Sequence, residues 1–259
     1  MNSIAELLGG EYGNDRAFLS PGGMVQGTVT DNAESGEPGM VKVEFTAWKS
    51  GKNVCEWIPL LRPYAGKDYG SYLVPEVGDI VLVGFIGTDF RRPVVLGSLF
   101  PATAQMKSDS FEKKNTTRRF KTKGGVDLTL SDAQGKASVE AVTPGGLRLA
   151  LDDGKQLMTL ADKNGQNQLS IDCQKGEVSL EGKSKLTIKA GSCEITMDGM
   201  AGKLELKGGQ LSIKADMQAE LDGGQSLGLK GTMLKAEGTQ VSVSGSAMTQ
   251  VSGGMVKLG

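Results

Sequence analysis

From residue 126 onward the chain repeats one short alternating unit, with almost nothing between the copies. Apolar residues two apart recur as Val126/Leu128/Leu130, Leu147/Leu149/Leu151, Leu169/Ile171, Val178/Leu180, Leu186/Ile188, Ile195/Met197, Leu204/Leu206, Leu211/Ile213, Leu227/Leu229 and Val241/Val243. Each set predicts a strand, because alternate side chains of an extended chain point to the same face. From Leu169 on, most units start about eight residues after the last, and Gly, Lys, Asp, Ser and Gln fill the gaps. The pattern is strand, turn, strand, turn, with no room for a helix.

Two absences sharpen this. Every aromatic residue lies between Tyr12 and Phe120, and no proline follows Pro144. A globular core of that length normally includes aromatics, which contribute large buried areas. The interior is therefore expected to be narrow, filled by Leu, Ile, Val, Met and Ala. The lack of proline fits strands that need every N–H for a ladder. An elongated β-structure follows, and strands with two or three inward side chains bury too little surface alone to offset their ordering entropy. One solution is a single-chain solenoid whose coils stack. The other winds three chains around one axis, and units this short without aromatic stacks favour it.

The 259 residues leave room for one or two domains, and the compositional change near residue 120 predicts two. A formal net charge of −1 argues against an extended nucleic-acid surface. No apolar run approaches the roughly 18–20 residues of a membrane span, and MNSIAELLGG lacks a basic region followed by an apolar core. The expectation is synthesis in the cytoplasm without a signal peptide. Cys55, Cys173 and Cys193 are scattered and odd in number, which predicts isolated small residues rather than a disulfide framework.

The expected layout is an N-terminal arm at 1–20, a barrel domain at 21–105, a linker or collar at 106–124 and the repetitive tract at 125–259. The arm holds one helical turn at 4–8 and reads as a docking arm or a frayed terminus. Strands are predicted at 24–30, 40–48, 55–61, 78–86 and 93–100, with a longer link after the third. Five strands in that arrangement outline a small closed barrel of the OB type. Gly78-Asp79 turns into a strand whose Ile80, Leu82 and Gly84 alternate with Val81, Val83 and Phe85, so both faces are apolar. Pro93 starts the returning strand where no ladder N–H is required, and Gly97 suits a bulge. In the linker FEKKNTTRRFKTK, the cations read as a solvated collar, with Phe111 and Phe120 tucked against the barrel.

The segment PEVGDIVLVGFIGTDFRRPVVLGSLF, residues 75–100, resembles the OB-domain signature of contractile-injection spikes, the phage baseplate assembly protein V and the VgrG spikes of type VI secretion. The residues that match are Pro75, Val77, Gly78, Asp79, Val81, Val83 and Phe85, then Arg92, Pro93, Val95, Leu96 and Gly97. Trp57-Ile58-Pro59 followed by Tyr64-Ala65-Gly66 resembles the family's third strand and its exit. The resemblance implies an all-β protein: a five-stranded OB-fold barrel followed by a triple-stranded intertwined β-helix, a homotrimeric needle. It implies a non-enzymatic central spike that pierces a target envelope when a sheath contracts. With about one strand per eight residues at 4.8 Å spacing, the shaft would be roughly 60–80 Å long.

Family members close the needle's apex with histidines around a metal ion, or carry a PAAR-repeat tip protein. Histidine is absent here, so a PAAR-type cap is expected on Met255, Val256, Lys257, Leu258 and Gly259, where apolar side chains and free strand edges would otherwise meet water. The hub domain that VgrG proteins carry ahead of the barrel has no counterpart in this sequence. A separate hub or baseplate protein is therefore expected on the OB domain and the arm.

Catalysis finds little support. Without histidine the commonest general base, the usual zinc ligands and the Ser-His or Cys-His pairs are missing, and no metal or cofactor is expected. The Gly-Gly pairs read as β-turns rather than phosphate loops. Some members carry a lysozyme domain or toxin extension, but here repeats run to Leu258-Gly259. Two other readings stand beside the spike. A single-chain β-solenoid would bind or cleave polysaccharide through carboxylate pairs, though such sites typically use aromatics, and this tract has none. An OB barrel would bind single-stranded nucleic acid by stacking bases on Trp48, Trp57, Tyr64, Tyr69 and Tyr72, with Arg62, Arg91 and Arg92 nearby.

Overall fold

The computed structural model describes residues 23–33, 38–46, 53–89 and 91–257. The arm at 1–20, Trp48, Leu258 and Gly259 lie outside the described residues. The first sheet holds β1 (Val25–Asp31), β2 (Met40–Thr46), β3 (Asn53–Pro59), β4 (Ile80–Phe85) and β5 (Pro93–Leu99), in the order β3-β2-β1-β4-β5, with every pair antiparallel. Its two edges meet: Leu60 bridges Val95 in parallel, and the Leu61 N–H donates to the Val95 carbonyl at 2.8 Å. The sheet therefore curls into the OB-like barrel that the strand pattern predicts.

Period-two alternation fills that barrel. Val29, Val41, Val43, Ile58, Val81, Val83 and Val95 are fully buried, with Phe45 beside them and Phe85 packed against the cluster. β-branched residues dominate because they suit a pleated, crowded surface. Two close approaches explain two glycines. A Cβ on Gly27 would lie 2.3 Å from Val43 Cγ1, and one on Gly84 would lie 3.1 Å from Leu96 Cδ1. Leu82 pairs with Gly97 while Val83 pairs with Val95, so Leu96 is the extra residue of a bulge.

The stretch expected as a linker is more ordered in type than its composition suggests. It contains a short polar helix, α1 (Gln105–Ser110), and β6 (Thr117–Lys121), which is the first strand of the next sheet. Charges at Arg118, Arg119 and Lys121 hide the alternation of β6; Arg119 and Lys121 find their partner, Asp127, on the neighbouring strand. Phe111 is 78% exposed and does not tuck against the barrel, while Phe120 pairs with Leu128.

That sheet continues through β7 (Asp127–Ser131), β8 (Ser138–Val142), β9 (Arg148–Asp152), β10 (Leu157–Ala161), β11 (Gln168–Asp172) and β12 (Glu177–Glu181), each strand antiparallel to the one before. The apolar-pair pattern does not include β8 and β10, whose residues on the apolar face are Val139/Ala141 and Met158/Leu160. The second unit, residues 184–259, holds an antiparallel sheet of β13 (Lys185–Ala190), β14 (Cys193–Asp198) and β15 (Lys203–Lys207). Beyond Lys207 no described residue joins a strand. The chain from 208 to 257 runs without helix or strand, with bends at 208–209, 216–217, 232, 239, 246–247 and 254 and a turn at 224–225, every residue exposed. The expected pairs Leu211/Ile213, Leu227/Leu229 and Val241/Val243 thus recur without a strand partner among the described residues.

Candidate assembly interface

Direct pairing in the seven-stranded sheet aligns its apolar residues into two rows on one face. One row runs Phe120, Leu128, Ala141, Leu149, Leu160, Leu169, Leu180, and the other, starting from Arg118, runs Leu130, Val139, Leu151, Met158, Ile171, Val178. Leu149 and Leu160 are about half exposed and Val178 is 71% exposed. The three-stranded sheet repeats the arrangement, with Leu186, Met197 and Leu204 in one row and Ile188, Ile195 and Leu206 in the other. An apolar face this extensive requires a cover, since it gains nothing from water.

The opposite face is satisfied within the chain. Its central row on the seven-stranded sheet is Thr129, Glu140, Ala150, Thr159, Ser170 and Ser179, and Ala150 is buried. Arg119 donates from Nε to both Asp127 oxygens at 2.9 and 3.1 Å and from Nη2 as well, and Arg148 pairs with Glu140. The Arg119 guanidinium holds the Asp127 carboxyl below its ordinary value. The sheet is therefore two-sided in chemistry: one face closed by its own ion pairs and hydroxyls, one face open and aliphatic.

Turns fix the strand order. Thr122-Lys-Gly-Gly-Val126 and Thr143-Pro-Gly-Gly-Leu147 are built alike: the Thr carbonyl accepts from Gly125 N at 3.0 Å and Gly146 N at 2.9 Å, and the Thr hydroxyl accepts from Val126 N at 3.0 Å and Leu147 N at 3.1 Å. Gly125 and Gly146 have φ of 91° and 87°, a left-handed geometry that favours glycine. On the β9–β10 and β11–β12 turns, aspartates close the loop instead. Asp152 accepts from Lys155 N and Asp172 from Lys175 N, both at 3.0 Å, and Asp162 caps the β10–β11 turn by accepting from Asn164 N, Gln166 N and Asn167 Nδ2. The carboxyls of all three stand below their ordinary value, for Asp152 through the Lys155 ammonium, for Asp162 through the Asn167 amide and for Asp172 through the Lys175 backbone N–H.

The signature residues occupy definite places in the barrel. Pro75 offers its carbonyl to Asn32 Nδ2 at 2.9 Å, and Val77 is exposed. Gly78, at φ 95°, donates its N–H to the Val29 carbonyl at 2.8 Å, and the Asp79 carbonyl accepts from Val29 N at 2.9 Å. The Asp79 carboxylate accepts from Glu76 N at 2.9 Å, closing the turn. Val81, Val83 and Val95 are core, Phe85 pairs with Pro93, and Leu96 and Gly97 form and follow the bulge. Arg92 shapes the hairpin through its backbone: its N–H donates to Asp89 O and its carbonyl accepts from Ile86 N, both at 3.0 Å. Lys123 Nζ reaches Glu76 at 3.4 Å, tying the first turn of the next sheet to the signature turn, a link that sequence reading missed.

The groups proposed for base stacking are divided. Arg62 is committed to the Ser71 carbonyl at 3.0 Å and the Gly39 carbonyl at 3.3 Å, and it lies over the Tyr72 ring at 4.9 Å. Tyr64 and Tyr69 pack on each other at 5.3 Å. Trp57 instead lines a groove with Glu56, Ile86, Arg91 and Arg92, and Arg91 is paired with Asp89 at 3.0 Å. Among the described residues no group of three His, Cys, Asp or Glu side chains could hold a metal, and Cys173 and Cys193 are exposed thiols. No helix among them is long and apolar enough to cross a membrane. Of the expected apex, Met255, Val256 and Lys257 are described and exposed.

Comparison with known proteins follows the barrel. Residues 25–100 match the type VI secretion system/phage-baseplate injector OB domain. The type VI secretion system spike protein VgrG4b of Pseudomonas aeruginosa is 27% identical over 169 residues, 64% of this chain and 18% of that protein. VgrG1b of the same organism is 32% identical over 100 residues, 36% of this chain and 13% of that protein. VgrG3 of Vibrio cholerae is 36% identical over 70 residues, 25% of this chain and 7% of that protein. The matched region thus spans under a fifth of each relative. The chain is VgrG-like over its OB domain and part of the tract beyond it.

Proposed function

We propose that this chain, whose residues 25–100 match the injector OB domain of type VI and phage-baseplate spikes, is itself the non-enzymatic central spike of a contractile injection machine. In this reading three copies set their barrels as a base and wind the tract from 125 onward into a triple-stranded β-helical needle. The observation that carries it is the open aliphatic face of β7–β12, together with a segment, 208–257, that repeats the alternating units yet has no strand partner among the described residues. Both deficits are met by identical neighbours: apolar rows face one another across an axis, and free backbone groups pair edge to edge. Stacked ladders spaced about 4.8 Å apart resist compression along that axis, which suits a device driven by sheath contraction through an envelope.

The partners follow from the same reading. A PAAR-type tip protein covers 255–259, and a hub or baseplate protein binds the OB domain and the 1–20 arm. The spike leaves the cell as part of its particle. Sedimentation or light scattering of the purified protein tests the core of the reading: a mass three times the 27.2 kDa chain, persisting on dilution, is expected. A stable monomer overturns it.

A further inference from the structure

Residues 117–181 and residues 208–257 solve the same backbone problem differently. Every strand of the seven-stranded sheet takes its ladder from a neighbour in sequence, across a turn of a few residues. Such hairpins are local, so they form early and without a second chain. Residues 208–257 form no ladder with any described residue; beyond local turn bonds such as Ser226 N to the Gly223 carbonyl, their exposed N–H and C=O groups are left to water or to another chain.

The same distal segment is close to self-similar. LGLKGTM at 227–233, LKAEGTQ at 234–240 and VSVSGSA at 241–247 place Gly and Ser or Thr at the same offsets, and bends recur at 232, 239 and 246–247. Strands this alike pair almost as well when slipped by one unit, and polar, Gly-rich strands specify register weakly. Free copies also present long unpaired edges, a template for uncontrolled association. Something outside the segment has to choose the register.

We propose that the seven-stranded sheet is a register clamp: it folds within each chain, docks copies of this chain through its leucine face, and so aligns residues 208–257, whose strands form only between copies. This rests on the oligomeric spike reading and adds an order to it. The clamp acts by raising the effective concentration of the distal segments toward one another in a single alignment, so that their pairing becomes an intramolecular step. Leu149 and Leu160, directly paired in the middle of one apolar row, stand for the docking face, and Ile213 for the aligned segment.

Hydrogen exchange of the full chain, read by mass spectrometry alongside solution mass, tests the order with Ile213→Asp and Leu149→Asp. With Ile213→Asp, the oligomer mass and slow exchange across 127–181 are expected to persist while 208–257 loses protection. With Leu149→Asp, the mass is expected to fall to 27.2 kDa with 208–257 unprotected. An Ile213→Asp protein at single-chain mass overturns the clamp, as does a Leu149→Asp protein whose 208–257 region stays protected, even if its sheet is lost. A wild-type protein at single-chain mass instead overturns the spike reading on which the clamp rests.

Discussion

Arg119 grips both carboxylate oxygens of Asp127 across β6 and β7, with Nε at 2.9 and 3.1 Å, on the face of the sheet away from the leucine rows. Both side chains are largely covered. This pair joins a strand of apparently linker-like composition to the sheet, and Arg119→Ala is expected to lower the melting temperature by roughly 2–4 °C. Thermal unfolding with equal midpoints for variant and wild type would remove the pair from the list of contacts that hold β6.

The Asp127, Asp152, Asp162 and Asp172 carboxyls stand below their ordinary value and are expected to add to the acid sensitivity of the sheet, modestly because solvent screens them. A folded pKa below the unfolded value contributes stability that is present above the ordinary 3.8 and is lost as pH falls through the lower folded values. Stability is therefore expected to hold down to about pH 4 and to decline below it. Asp127→Asn should be less stable at neutral pH and lose less on acidification. Melts from neutral to strongly acid solution check this, and parallel curves for variant and wild type would contradict it.

Gly27 faces Val43 so closely that a methyl group has no place, since a Cβ would also lie 3.1 Å from the Glu44 carbonyl. Gly27→Ala is expected to destabilise the barrel by about 1–3 kcal/mol through overpacking. Denaturant titration of the near-ultraviolet signal from Trp and Tyr leaves the repeat tract silent, because every Trp and Tyr lies at or before Tyr72.

Arg62 organises the link between β3 and β4 by holding the carbonyls of Gly39 and Ser71 while stacking on Tyr72. Arg62→Ala should open residues 63–72 to proteolysis and cost about 1–2 kcal/mol, with Arg62→Lys recovering little of it because an ammonium lacks the planar fork. Cleavage mapped by mass spectrometry at unchanged sites and rates would refute the assignment.

The Thr-x-Gly-Gly turns give a paired test. Thr143→Val keeps the shape of the side chain but leaves Leu147 N without the hydroxyl that accepts from it at 3.1 Å. A loss of about 0.5–1.5 kcal/mol is expected. Thr122→Val should behave alike, because Val126 N donates to Thr122 Oγ1 at 3.0 Å in the same geometry.

What the sequence determined by itself is the local part of the protein. Alternation at Val81/Val83 and at Leu149/Leu151 assigns strand and face without knowledge of any partner, because side-chain direction depends only on position along an extended chain. Gly78 and Pro93 mark where strands turn and start for reasons equally local. Tertiary structure decided the pairing. Ile171 and Ile213 sit in similar alternating units, yet one is bonded into a sheet of its own chain and the other has no strand partner among the described residues. Every strand offers the same N–H and C=O groups, so nothing in a short unit states which neighbour they meet. The recruitment of β6 by Asp127, the tie from Lys123 to Glu76 and the commitment of Arg62 to carbonyls far along the chain were hidden for the same reason: a charged side chain carries no period, and its role appears only when folding brings its partner alongside.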